Sequence, residues 1–178
     1  MFFIEMPDVP PQYQQVMLVQ AAQSPQTKAQ YDRLVGVCHP IESVGMAPSA
    51  VNSMEPVGSL KDYFYSQEKK TLEGPSTVTV LEQPKHGTLK DNGTFVIDAD
   101  TRVRTDTGER RYRYLPNPGY VTGQDRAVLL VEIAGLKVKM VYTFHVVDVL
   151  DDESDEIFCP SPYERLPDEQ DNPLAAQV

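Results

Sequence analysis

The chain has 178 residues, 40% of them hydrophobic, no Trp, and 15 Pro against 10 Gly. That composition supports one core of ordinary domain size and disfavours a helical bundle, because Pro interrupts helices. A net charge of −10, from 16 basic and 26 acidic side chains, repels phosphate backbones and excludes nucleic acid as the expected partner.

Residues 1–56 read as an N-terminal arm carrying 2 basic and 5 acidic side chains. Its start, Met1–Pro7, has neither a basic n-region nor an apolar run, so no signal peptide is expected. Ser24-Pro25 has the form of an N-cap followed by Pro at the first helical position. A short helix is therefore predicted near 25–35, ended by Gly36. From His39 to Pro56 the chain reads as irregular, broken at Pro40, Pro48 and Pro56.

Residues 57–149 carry 13 basic and 12 acidic side chains, as a folded surface should. Ser76–Leu81 is β-branched and lies between Pro75 and Pro84, which predicts a strand. His86–Leu89 predicts a second strand, turning at Asp91-Asn92-Gly93 into a third over Thr94–Ile97. Arg111–Leu115 alternates and stops at Pro116-Asn117-Pro118-Gly119, a turn signal with Gly119 at the position needing positive φ. Ala127–Ile133 and Leu136–Val149 form a predicted hairpin around Ala134-Gly135. Val138, Met140, Tyr142, Phe144 and Val146 share one face of its second strand, and the opposite face is predicted half wet. Turn signals every 8–15 residues or so point to an all-β antiparallel sandwich. No stretch approaches the roughly 18 apolar residues of a membrane span, so membrane insertion is not expected.

Residues 150–178 carry 1 basic and 9 acidic side chains, beginning with the run Asp151–Glu156. With Pro160, Pro162, Pro167 and Pro173 they read as an acidic, extended tail, packing only locally through Ile157, Phe158 and Tyr163. Cys38 in the arm and Cys159 in the tail leave two readings open: one bridge between arm and tail in an oxidising compartment, or two unpaired thiols.

The spacing Pro84-Lys85-His86-Gly87-Thr88-Leu89, then Tyr112-Arg113-Tyr114-Leu115-Pro116-Asn117-Pro118-Gly119-Tyr120, then Gly123-Gln124-Asp125 resembles the cadherin-like, bacterial immunoglobulin-like repeats of secreted adhesins. The resemblance covers residues 75–148. It implies an immunoglobulin-like sandwich, a surface or periplasmic location and an adhesive role. Gly87, Asn117, Pro118, Gly119 and Asp125 then hold structural positions: Gly87 permits a tight strand start and Asp125 bonds nearby backbone amides. The segment Val96–Arg110 departs from the family pattern as an insertion, and no second copy follows in tandem.

The sequence offers two candidate sites. Asp98, Asp100 and Asp106 have alternate-carboxylate spacing, which a calcium ion would use; a solvated acidic loop is the competing reading. Arg102, Arg104, Arg110, Arg111 and Arg113 cluster in or beside the insertion and would take an acidic partner, or the chain's own tail in cis or in a neighbouring copy. The histidines are scattered, and there is no nucleophile elbow, phosphate-binding loop or zinc protease motif, so neither catalysis nor a cofactor is expected. The leading expectation is a non-enzymatic protein-interaction or assembly module that engages a protein partner or a homo-oligomeric copy. Two alternatives stand beside it. One is a structural subunit of a larger intracellular or virion assembly, its arms ordering on docking. The other is a carbohydrate-binding module, which requires at least two of Tyr112, Tyr114 and Tyr120 to be exposed.

Overall fold

A computed structural model of the chain describes residues 30–43, 52–150 and 158–167. Tyr31–Leu166 form one compact unit. In chain order its elements are β1 (Arg33–Glu42), β2 (Ser53–Met54), α1 (Pro56–Glu68), β3 (Ser76–Glu82), β4 (Gly87–Ile97), β5 (Arg104–Pro116), β6 (Gly123–Ile133), β7 (Leu136–Val147) and β8 (Tyr163–Arg165). They make two sheets, one ordered β3-β6-β7-β1-β8 and the other β2-β5-β4. All pairings are antiparallel except β1 against β7, which is parallel from Arg33↔Val138 to Glu42↔Val147.

The sheets face each other across one core. Leu89, Tyr112 and Tyr114 from the smaller sheet meet Val35, Ile41, Leu129, Met140, Tyr142 and Phe144 from the larger. Tyr114 and Phe144 approach to 4.6 Å between ring centroids. The β6–β7 hairpin turns at Ala134-Gly135, both with positive φ (54° and 78°), the two-residue geometry that matches strand twist. Helix α1 starts with Pro at its first position and buries Pro56, Val57, Leu60, Tyr63 and Phe64, one stripe at helical spacing.

Four sequence expectations are corrected. The segment read as the end of a helix is strand: residues 25–29 lie outside those described, but from Arg33 the chain is extended, with Val35, Val37 and Ile41 buried on alternate positions. The stretch from His39 to Pro56 contains the end of β1, passing through Pro40, and then β2. Asp91-Asn92-Gly93 is a bulge within continuous β4, where the Asp91 carboxylate accepts the Gly93 N–H at 2.7 Å. The Val96–Arg110 insertion is largely strand: β4 and β5 extend into it as a long hairpin whose tip is 98–103, closed by Asp98 N–H donating to the Val103 carbonyl.

The acidic run Asp151–Glu156 lies outside the described residues. Beyond it, the tail re-enters the fold as a strap, 158–166. Its β8 pairs with Val35–Val37, and Leu166 covers Gly36. The outer face of the larger sheet is also drier than expected, since Val128, Leu130 and Lys139 there are buried. The ring of Tyr31 lies 5.6 Å from the Lys139 ammonium.

Candidate functional site

The motif residues converge on one knot at an end of the sandwich, and its chemistry is structural. Asp125 is buried, and its carboxylate accepts the backbone N–H groups of Lys85, His86 and Arg126, each at 2.9 Å, and the Tyr114 hydroxyl at 2.6 Å. Burial alone would raise its pKa. The bonds from Tyr114, Arg126, His86 and Lys85 outweigh that and hold the carboxyl below the usual range, while burial and this carboxylate push the Tyr114 phenol up. The His86 carbonyl accepts the Asn117 N–H, and Asn117, Pro118, Gly119 and Tyr120 form a turn with Gly119 at φ 89°. His86 stacks on Tyr120 at 4.2 Å. Tyr112 and Tyr114 are both buried. Of the three rings that sugar binding would use, only Tyr120 is partly exposed.

The predicted charged sites are distributed along the β4–β5 hairpin. Asp98 accepts the N–H groups of Asp100 and Thr101 at the tip, and Asp106 accepts that of Gly108 in a bulge of β5. The Thr101 and Asp100 N–H groups lower the Asp98 carboxyl, and Asp106 is lowered chiefly by a side-chain hydrogen bond with Thr94 and then by the Gly108 N–H. Asp98, Asp100 and Asp106 do not bring oxygens together; among the described residues the one convergence of three such ligands is elsewhere. The carboxylates of Asp98 and Asp106 cap local turns, and the three carboxylates of the expected calcium set do not converge. Of the arginines, Arg110 is paired with Asp91 at 2.8 Å and Arg111 with Glu55 at 3.2 Å, and Arg104 lies 3.9 Å above the Phe95 ring. Arg102 and Arg113 form no ion pair among the described residues; Arg102 sits at the tip with φ 62°, and the Arg113 Nε is buried without a partner. The arginines do not gather on one face: two are ion-paired, one stacks over a ring, and Arg102 lies at the hairpin tip.

A cleft lies between α1, the outer edge of β1 and the strap. It has a volume of about 860 Å³ and is lined by Pro40, Glu55, Ser59, Asp62, Pro162 and Tyr163, among others. Three features of the sequence create it. First, β8 pairs only with Val35–Val37, followed by one further bond from Cys38 N–H to the Pro162 carbonyl, so among the described residues the edge beyond lacks a neighbouring strand. Second, Pro40 sits on that edge without an N–H to donate. Third, the edge ends at the buried side chain of Asn52, which accepts the Glu42 N–H at 2.9 Å and donates to its carbonyl at 3.0 Å. A side-chain amide there takes the place of a neighbouring strand.

The cleft is acidic and rich in acceptors. Glu55 and Asp62 line it, beside His39, and among the described residues no Lys or Arg does. Tyr142 is buried behind the helix wall. Ser59 stands beside its hydroxyl, yet no hydrogen bond of good geometry forms. Burial pushes this phenol up, so it stays neutral and keeps a proton to donate. The cleft continues along α1 into a second hollow of about 390 Å³, lined by Asp62, Tyr65, Ser66, Lys69 and Tyr163. Ser59, Asp62, Ser66 and Lys69 recur at the spacing of one helix face, opposite the buried stripe. Tyr65 is 65% exposed beside them.

The far wall is covalently fixed. Cys38 and Cys159 are joined by a disulfide, their Cα atoms 5.5 Å apart across 121 residues of sequence. No family model, no curated protein and no solved structure matches this chain. No described helix is long and apolar enough to cross a membrane. The cleft itself was not foreseen from the sequence. The helix that walls it carried a signal in Pro56 followed by Val57, Leu60, Tyr63 and Phe64, but the facing strap comes from a segment whose composition reads as tail.

Proposed function

We propose that the chain is a non-enzymatic protein-interaction module whose cleft along α1 receives a segment of a partner. The observation that carries this reading is the cleft itself: an open groove with Tyr65 and Tyr163 along it and, among the described residues, carboxylates but no Lys or Arg in its main chamber. Aromatic and proline walls favour an extended segment, and Glu55 and Asp62 favour one bearing Lys or Arg. The segments outside the described residues contain a single basic residue, Lys28, so charge complementarity assigns the occupant to another molecule. Pro40 and Asn52 disfavour simple strand addition at the β1 edge, so recognition falls to side chains.

The scaffold is proposed to be immunoglobulin-like. Supporting this are the two strand orders and the first strand of the sandwich lying against the last, although α1 replaces most of what would be a long second strand. The Cys38–Cys159 bond supports a surface or periplasmic setting, where such bonds persist. The test is calorimetric titration with a panel of extended peptides containing Arg and Pro. Binding is expected to weaken with salt and to fall about tenfold or more in Asp62→Lys, a change of one exposed charge. Equal binding by Asp62→Lys, or none by the native chain across the panel, would overturn the reading.

A further inference from the structure

We infer that Cys38, Cys159 and His145 form a second, metal-dependent clasp that holds the strap when the disulfide is reduced. The inference is independent of the interaction reading. Cys38 lies on β1 and His145 on β7, two positions along in the parallel register, where Cys38 faces Thr143 and Pro40 faces His145. Both residues alternate with core positions, so both side chains lie on the outer face of the larger sheet. The strap brings Cys159 over them. The two sulfurs and an imidazole nitrogen all lie within 4.8 Å of one another. The His145 ring stacks on Phe158 at 5.7 Å between centroids and makes no hydrogen bond among the described residues, so its nitrogens are available.

Two thiolates and an imidazole are a soft donor set suited to zinc, whose bonds of roughly 2.0–2.3 Å need only small side-chain movements at this spacing. A thiol reductant converts the disulfide to two thiols and leaves as its own disulfide. Zinc then displaces the two thiol protons and takes neutral His145 as third ligand, with one position left for water or an outside donor. The disulfide ties β1 to the strap, and the metal would tie β1, β7 and the strap, so the fold would keep a clasp in oxidising and in reducing surroundings.

The test uses the full chain reduced with a trialkylphosphine, which removes the bridge by becoming the phosphine oxide, and cobalt as a spectroscopic substitute for zinc. The expected result is one equivalent bound to monomer, with a thiolate-to-cobalt charge-transfer band and tetrahedral d–d bands, both bleached by zinc. The acidic surface can bind cations but cannot give the thiolate band. His145→Ala leaves the oxidised protein intact and should weaken cobalt binding by more than about tenfold, since even the partners of ligands are worth that much. Zinc should also restore amide protection at 158–166 in the reduced chain, a readout that holds even where reduction loosens the fold. Absence of the thiolate band, unchanged affinity in His145→Ala, or zinc without effect on strap protection would each overturn the inference.

Discussion

Gly87 does not occupy the positive-φ region; space, and not backbone conformation, requires it to be glycine. A Cβ there would meet the Tyr114 ring at 2.5 Å and the Leu115 carbonyl at 2.8 Å. Gly87→Ala must therefore displace a ring whose hydroxyl is held by Asp125, and should cost about 1–3 kcal/mol in denaturant unfolding. Asp125 itself sets a pH dependence. Its folded pKa is depressed, so its contribution is complete above the unfolded carboxyl value of about 3.9 and is lost as pH falls through the lower folded value. Unfolding free energy should drop below about pH 4, and Asp125→Asn should flatten that drop while costing about 1–3 kcal/mol at neutral pH. Asp98→Asn is the control: that carboxyl is also depressed, but it is fully exposed and screened by solvent.

At the scale of elements, the β6–β7 turn holds Ala134 at φ 54°, where a Cβ costs energy. Ala134→Asn gives the preferred Asn-Gly pair and should stabilise by about 0.5–1 kcal/mol, raising Tm by roughly 2–4 °C in a chain of this size. This hairpin was legible because its signals were local: two apolar alternations and a glycine. The β1 strand was not, because Ser24-Pro25 and Gly36 resemble helix punctuation. The alternation of Val35, Val37 and Ile41 gains its meaning only from β7, distant in sequence. Gly93 was read as a hairpin turn because Asp91-Asn92-Gly93 has turn chemistry, and a bulge uses the same chemistry without reversing the chain. The motif knot was legible as structure, down to Asp125 bonding backbone amides, since those residues sit at fixed offsets around turns. The cleft was not legible, because its two walls come from a helix with a weak apolar stripe and a strap whose role depends on one disulfide.

For the whole molecule, the boundary at 57–149 suggested by charge balance omits Val35, Val37, Ile41 and the strap. A fragment of those residues is expected not to unfold cooperatively, whereas 31–166 should; calorimetry of both decides it. Replacing both cysteines with Ser should cost about 2–4 kcal/mol, because the bond closes a loop of 121 residues. The parallel pairing of β1 with β7 also sets an order of events during synthesis. The Lys137 N–H reaches the Asp32 carboxylate across 105 residues. At typical elongation rates β1 leaves the ribosome roughly 5–20 s before the strand it must lie against. For that interval Leu34, Val35, Val37 and Ile41 are apolar, β-prone and without that neighbour, so the larger sheet cannot close until β7 has been made.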